Sequence, residues 1–413
     1  MKFLAAGIAW SLLAAGVDAE QRLRFVVQTG DHPRHDCPLK VALPPQVSQF
    51  SHDWRLWDVS TDRPTPVSCQ FLNSDHSVLA WILSGAVPPR TIRQFEFRPS
   101  RVDDPPILPP PVAPVEVVSR DESWDVRIGE KPVLRYHGGR SAPPEGIDPR
   151  FARSGYIHPV WTPDGQVVTD EFPPDHAHQS GIFLAYVKTE FEGRTPDFWN
   201  LLANSGFVRT ANIVSLSTGV VCGGLRVAHE HVDNGVSGGK VALRETWDLR
   251  VWQSSGTNGW RFDITSVQEC ASSAPLLLKE YHYGGMAYRG ARAWTGDQAV
   301  FTTAKGSDRE TGNHERGAWV DLSGKSDQQW SGLTSFTDPA NFRFPEPVRL
   351  HPKMPYLVWT PSVLGDWAIT PGRPHVSRYH FHVHDGQLSR EQAERIWAEI
   401  SDPPQIAVSI ITE

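Results

Sequence analysis

The chain has 413 residues and a formal net charge of −7. Without a basic block it has no surface to track a phosphate backbone, which excludes nucleic acid as a partner. The length implies two or three domains and a sizeable core, and 16 tryptophans among 33 glycines and 35 prolines imply a β-rich scaffold with long loops.

In chain order, Lys2 is followed by the apolar run FLAAGIAWSLLAAGV and then by Val17, Asp18 and Ala19. That is the pattern of a signal peptide over residues 1–19, so the mature protein is expected in the periplasm or outside the cell. No later run approaches about eighteen apolar residues, so no membrane span is expected after cleavage. Over residues 20–103 the runs RLRFVVQ, LKVALP, DWRLWDV, SVLAWIL and RQFEFRP predict a small β-sandwich. The proline-rich tract 104–115 reads as a semi-rigid linker.

Residues 116–413 continue in strands. In KVALRETWDLRVW, Leu243, Trp247, Leu249 and Val251 share one face. Glu245 interrupts that face, as a strand-edge residue or as a group pointed into a cleft. WRFDITSVQEC, QAVFTTA, RGAWVDLS, RYHFHVHD and QIAVSIIT are further strand candidates. One helix is expected in SREQAERIWAEI, with Ser389 as cap, Gln392 at the capping-box position, and Ala393, Ile396, Trp397 and Ile400 as its apolar stripe. The fold class is therefore all-β and antiparallel, with one short C-terminal helix.

The four cysteines, Cys37, Cys69, Cys222 and Cys270, form no CxxC pair. Three disulfide connectivities are open, and Cys37–Cys69 with Cys222–Cys270 is favoured because each pair falls within one proposed domain.

Candidate chemistry concentrates in four stretches. TDEFPPDHAHQSGIF (169–183) carries Asp170, Glu171, Asp175, His176 and His178, and its two prolines place the histidines on a loop before a strand. In extended chain the i, i+2 histidines lie about 6.6 Å apart on one side, a spacing that can chelate a metal. KEYHYGGMAYRG (279–290) offers Glu280, His282 and Arg289 beside a Gly-Gly pair, and GNHERGAWVDLSG (312–324) offers His314 and Glu315. RYHFHVHDG sets His380, His382 and His384 on one strand face, and His158 precedes Trp161. No GxSxG elbow, P-loop, GxGxxG turn or HExxH helix occurs. What remains is histidine, carboxylate and arginine chemistry, suited to general acid/base work on a hydroxylated substrate.

The segments HPVWTPDGQVVTDEFPPDHAHQSGIFLAY, DFWN, KEYHYGGMAYRG and HERGAWVDLSG, in that order, resemble the signatures of a family of exported bacterial proteins labelled PmoA-like, a domain of unknown function, over residues 119–400. The label reads "methane oxygenase", yet that enzyme is an integral membrane protein and this chain has no span after its signal. The resemblance implies a large β-supersandwich similar to the galactose-mutarotase fold over residues 116–413, in sugar-processing surroundings. His176, His178, Glu280 and Arg289 match the family pattern, whereas Gln179 stands where a second histidine is common.

Taken together these readings predict an exported carbohydrate-active hydrolase, lyase or epimerase acting on a sugar or modified glycoside, with His176 or His178 and Glu280 as acid and base. His158, Trp161, Trp199, His282, Arg289, His314 and Glu315 are the expected substrate-binding residues. A divalent metal, if used, would fall to His176, His178 and His282. The alternatives are a non-catalytic glycan-binding protein and a metal-dependent oxidase.

Overall fold

The computed structural model describes residues 21–45, 54–105, 113–254 and 259–412. The signal-peptide expectation for residues 1–19, and most of the proline-rich tract (106–112), lie outside the described residues.

The alternating runs near the N-terminus form a five-stranded sheet and a three-stranded sheet packed over Leu23, Phe25, Trp81, Phe95 and Phe97. The other end of the chain completes this small sandwich. Strand Gln405–Thr412 pairs antiparallel with Gln21–Gln28 along its whole length, adding Ile406 and Val408 to the core. The helix Arg390–Ser401 precedes that strand, and Ser389 and Gln392 make the expected reciprocal capping box. Its apolar stripe packs on Trp319 and Phe336 of the large sandwich. Buried Arg34 ties the helix end to the small sandwich, donating to the carbonyls of Thr29 (2.9 and 2.6 Å) and Ala398 (2.9 Å).

Between these ends stand two large antiparallel sheets of nine and eight strands, with a three-stranded sheet beside them. One continuous apolar core fills the space between the two large sheets. Among the described residues no helix is long and apolar enough to cross a membrane.

Glu245 takes neither of its two expected places. Strand Lys240–Trp252 turns Leu243, Glu245, Trp247 and Leu249 into the core between the sheets, where Glu245 is 1 % exposed. Its carboxylate accepts from Trp247 Nε1 (2.7 Å), Ser266 Oγ (2.5 Å) and Gln268 Nε2 (3.2 Å), and lies 2.9 Å from His231 Nε2. Tyr136 Oη reaches His229 Nε2 at 2.7 Å from the facing sheet, so the polar group network bridges the two layers. Burial alone would raise the Glu245 pKa, but the bonds from His229 and His231 outweigh it and hold the carboxyl well below its usual range.

The two expected disulfides are not formed, and all four cysteines are free. Cys37 and Cys69 lie on strands flanking Val78–Val87, opposite Leu83 and Trp81. Two strand spacings, roughly 10 Å, exceed the Cα separation of about 7 Å that a disulfide can span. Cys222 aligns with Trp252 and, one strand further, with Arg261, at the opposite end of strand Trp260–Cys270 from Cys270. Along a strand that is roughly 30 Å. Burial pushes the thiol of Cys37 up to about 12 and those of Cys69 and Cys222 up to about 11, so they are un-ionised and unreactive at neutral pH.

Replacing Glu245 by Ala leaves several buried donors unanswered and should cost about 3–5 kcal/mol of stability in urea unfolding. Glu245→Gln, which retains one acceptor, should lose less.

Candidate functional site

Register in the nine-stranded sheet decides what the site is made of. Strand Gly285–Arg289 runs between Ile182–Ala185 and Tyr356–Trp359, and Glu346–Leu350 pairs on the far side of the latter. Tyr288, Ile182, Leu357 and Leu350 align and face the core. Alternation then sends Arg289 and its partner Tyr356 to the opposite face, together with Phe183 and Arg349. His351 continues the row, donating its backbone N–H to the Tyr356 carbonyl at 3.0 Å. At the other end Arg289 donates its backbone N–H to the Gly181 carbonyl (2.8 Å). Gly181 has φ +53, and a Cβ there would stand 1.9 Å from the Ile157 carbonyl oxygen, so only glycine fits.

The loop 169–180 covers this outer face. It is pinned by bridges from Thr169 to Gly290 and from Glu171 to Ser180, and by the Gly181 N–H on the Asp170 carbonyl (2.7 Å). Arg292 holds its acidic start, with Nε 3.1 Å from Asp170 Oδ1 and Nη2 2.8 Å from the Glu171 carbonyl. The loop thereby brings His176 and His178 over the Arg289–Tyr356–His351 row. The ring centroids lie 5.5 Å apart for His176 and His178, 5.7 Å for His176 and His351, and 6.4 Å for His351 and Tyr356.

Gln179, where the family pattern has a second histidine, accepts from Arg289 Nη1 at 2.8 Å. Asp175 stands 3.3 Å from Arg289 Nη2 and 3.9 Å from His176 Nδ1. Burial depresses all three imidazoles. His178 is held down at about 3 and His351 at about 4, while His176 is lowered against the opposing pull of Asp175. A ring that stays neutral to pH 3 is a poor proton acceptor. His176, partly exposed and beside a carboxylate, is the ring of the three best placed to take a proton.

Arg349 links this group to the second and third sequence clusters, because its charge bears on His351, His282 and His314 alike. His314 Nε2 lies 3.1 Å from the His282 carbonyl, which can only accept, so Nε2 carries the hydrogen and Nδ1 is left as acceptor. His314 sits at φ +63, a left-handed conformation uncommon for histidine. Its backbone N–H holds it there, 2.7 Å from the Val348 carbonyl.

Other expected residues fall elsewhere. Glu280 is exposed, its backbone N–H on Asp366, and among the described residues its carboxylate meets no histidine. Glu315 accepts from Thr303 of the eight-stranded sheet, and Trp199 is fully buried against Phe183 (4.6 Å) and Tyr283 (5.3 Å), with no ring face left to stack on a sugar. His158 and Trp161 flank the acidic start of the loop, His158 bonded to Thr169 (2.9 Å) and Trp161 under Arg135. The nominated metal set of His176, His178 and His282 does not converge, since the His282 ring packs between Tyr281 and Tyr283. Among the described residues no three His, Cys, Asp or Glu side chains are placed to hold a metal. His380, His382 and His384 lie on the outer face of the other sheet beneath the helix, where His380 pairs with Asp263 (2.8 Å) and His384 with Asp321 (3.0 Å).

Sequence reading missed Arg153, Arg349, His351 and Tyr356. The last three sit in RLHPKMPYLVW, whose alternation of Arg349 and His351 was the available signal.

Residues 123–398 match the model of a family of unknown function, DUF6807, and the chain belongs to that family. Nothing in that match links the chain to methane oxidation. No curated protein matches the sequence. Among solved structures, an alpha-mannosidase from Enterococcus faecalis V583 is similar at TM-score 0.47 and 9% identity, over 95% of this chain and 46% of that one. A protein in the glycosyl hydrolase family 38 from Enterococcus faecalis gives 0.44 and 8%, over 95% and 49%. The chain thus spans about half the length of these structures, and so loose a likeness carries no argument about activity.

In a histidine-resolved NMR titration, His178 should keep the shifts of a neutral imidazole from pH 7 down to about 3 and His351 down to about 4. His380, buried between Asp263 and Asp338 whose charges outweigh the burial, should stay protonated up to about 9.

Proposed function

We propose that this protein is an exported carbohydrate-active enzyme whose acid/base site lies under the loop 169–180, and that it is a lyase or an epimerase rather than a two-carboxylate hydrolase. The observation that carries the reading is the gathering of His176, His178 and His351 over the Arg289–Tyr356 row. His176 is the base, and Asp175 at 3.9 Å stabilises its imidazolium. His178 and His351, neutral near pH 7, serve as hydrogen-bond partners for substrate hydroxyls. Glycoside hydrolysis by the usual route needs two carboxyl groups flanking the bond. Here Asp175 is the carboxylate that contacts the histidine group, while Glu280 and Glu315 point elsewhere.

Export rests on the N-terminal sequence pattern, and the sugar class on the resemblance described from the sequence together with the polar groups gathered under the loop. Turnover of neutral, acidic and keto-sugar glycosides should fall about 10²–10⁴-fold in His176→Gln, with substrate affinity held within a few fold. Binding without turnover in the unmodified protein would favour a glycan-binding role instead.

A further inference from the structure

Buried charges in folded proteins are paired as a rule. Arg153 is 4 % exposed, yet among the described residues it has no carboxylate partner. Its Nη1 donates to the His178 carbonyl at 2.9 Å, its guanidinium lies over the Phe183 ring at 4.2 Å, and Nε has no acceptor. Burial drags its pKa down to about 10. Arg289, 3 % exposed, is only partly answered by Asp175, and its Nε also lacks an acceptor. Tyr356, 3 % exposed, has a hydroxyl with no partner among the described residues, and the charges of Arg153, Arg289 and Arg349 all bear on it. The charges of three cations therefore act on one buried, unanswered hydroxyl, and among the described residues Asp175 pairs with Arg289 alone of the three.

We infer that this centre binds a carboxylate of the substrate, so that the site acts on acidic sugars of the uronate class. The inference rests on the acid/base reading of the same site and narrows its substrate. A planar carboxylate matches guanidinium geometry, and neutralising it acidifies the adjacent C–H. His176 takes that proton, and the electron pair moves into the carboxylate as an enediolate held by the arginines and the tyrosine. The pair then returns in one of two ways. It forms a C=C bond as the oxygen on the next carbon leaves with its bonding electrons and takes the proton from the His176 imidazolium, or it takes a proton from water on the opposite face of the ring while His176 returns its own to solvent. Neither course needs an oxidant or reductant.

The test uses the full mature chain and its Arg153→Met variant, with thermal unfolding and calorimetric binding of D-glucuronate, D-glucose and inorganic sulfate. Glucuronate should raise the Tm of the unmodified protein and bind at least tenfold tighter than glucose or sulfate. Arg153→Met, freed of an unpaired buried charge, should unfold no earlier than the parent without ligand and should lose the glucuronate effect. A native-like Tm in the variant with its glucuronate response intact would overturn the inference. So would equal binding of glucose, which denies the carboxylate, or of sulfate, which denies its planar recognition. Should Arg153→Met fail to fold, Tyr356→Phe, which removes only the hydroxyl, must weaken glucuronate binding at unchanged glucose binding. Turnover of neutral glycosides through His176 without any glucuronate preference would sink this inference alone, whereas tight glucuronate binding with no dependence of turnover on His176 would sink the acid/base reading and leave the anion site standing.

Discussion

The register between strands Gly285–Arg289 and Tyr356–Trp359 is the constraint on which the site depends. Pairing Tyr288 with Leu357 buries both in the core and commits Arg289 and Tyr356 to the other face. A slip of one residue in either strand would send a guanidinium or a phenol between the sheets, against an apolar core that could not satisfy it. The hydrophobic pattern that stabilises the sandwich thus also fixes which side chains the loop 169–180 covers. Gly181 seals the arrangement, since any larger residue would push the loop's exit away from Ile157.

Charge is treated in opposite ways between the sheets and under the loop. Between the sheets Glu245 is surrounded by donors from Trp247, Ser266, Gln268 and His231, so its burial is compensated bond for bond. Under the loop, Arg153 and Tyr356 are nearly as buried and remain under-answered. A carboxylate bonded in this way serves rigidity, whereas an under-answered cation is a cost to the free protein that a bound group of the right charge can recover. The same low dielectric holds the surrounding imidazoles neutral, which makes them acceptors rather than further cations.

Much of the fold could be read from period and punctuation. Strands such as Lys240–Trp252 and Trp260–Cys270, and the capped helix Arg390–Ser401, follow from local alternation and from Ser389 with Gln392. The site was half legible. His176, His178 and Arg289 stood out because their motifs are locally dense, and they do lie together. Glu280 stood out for the same reason and faces solvent, because the chain after Leu278 leaves the strand and alternation no longer governs its direction. Arg153 carries no local signal, being a single polar residue whose meaning comes from what is brought opposite it.

By itself the sequence determined the β architecture and the capped C-terminal helix, and it singled out the loop stretch 169–183, since each depends on interactions between residues a few positions apart. Tertiary structure decided what sequence separation hides. The strand Val78–Val87 stands between Cys37 and Cys69, the last strand returns to complete the first sandwich, and Glu245 turns into the core. Above all, it brought Arg153, Arg289 and Arg349 near enough for their charges to bear on the Tyr356 hydroxyl, because the field at a buried group is summed over neighbours that only the folded sheet brings within reach.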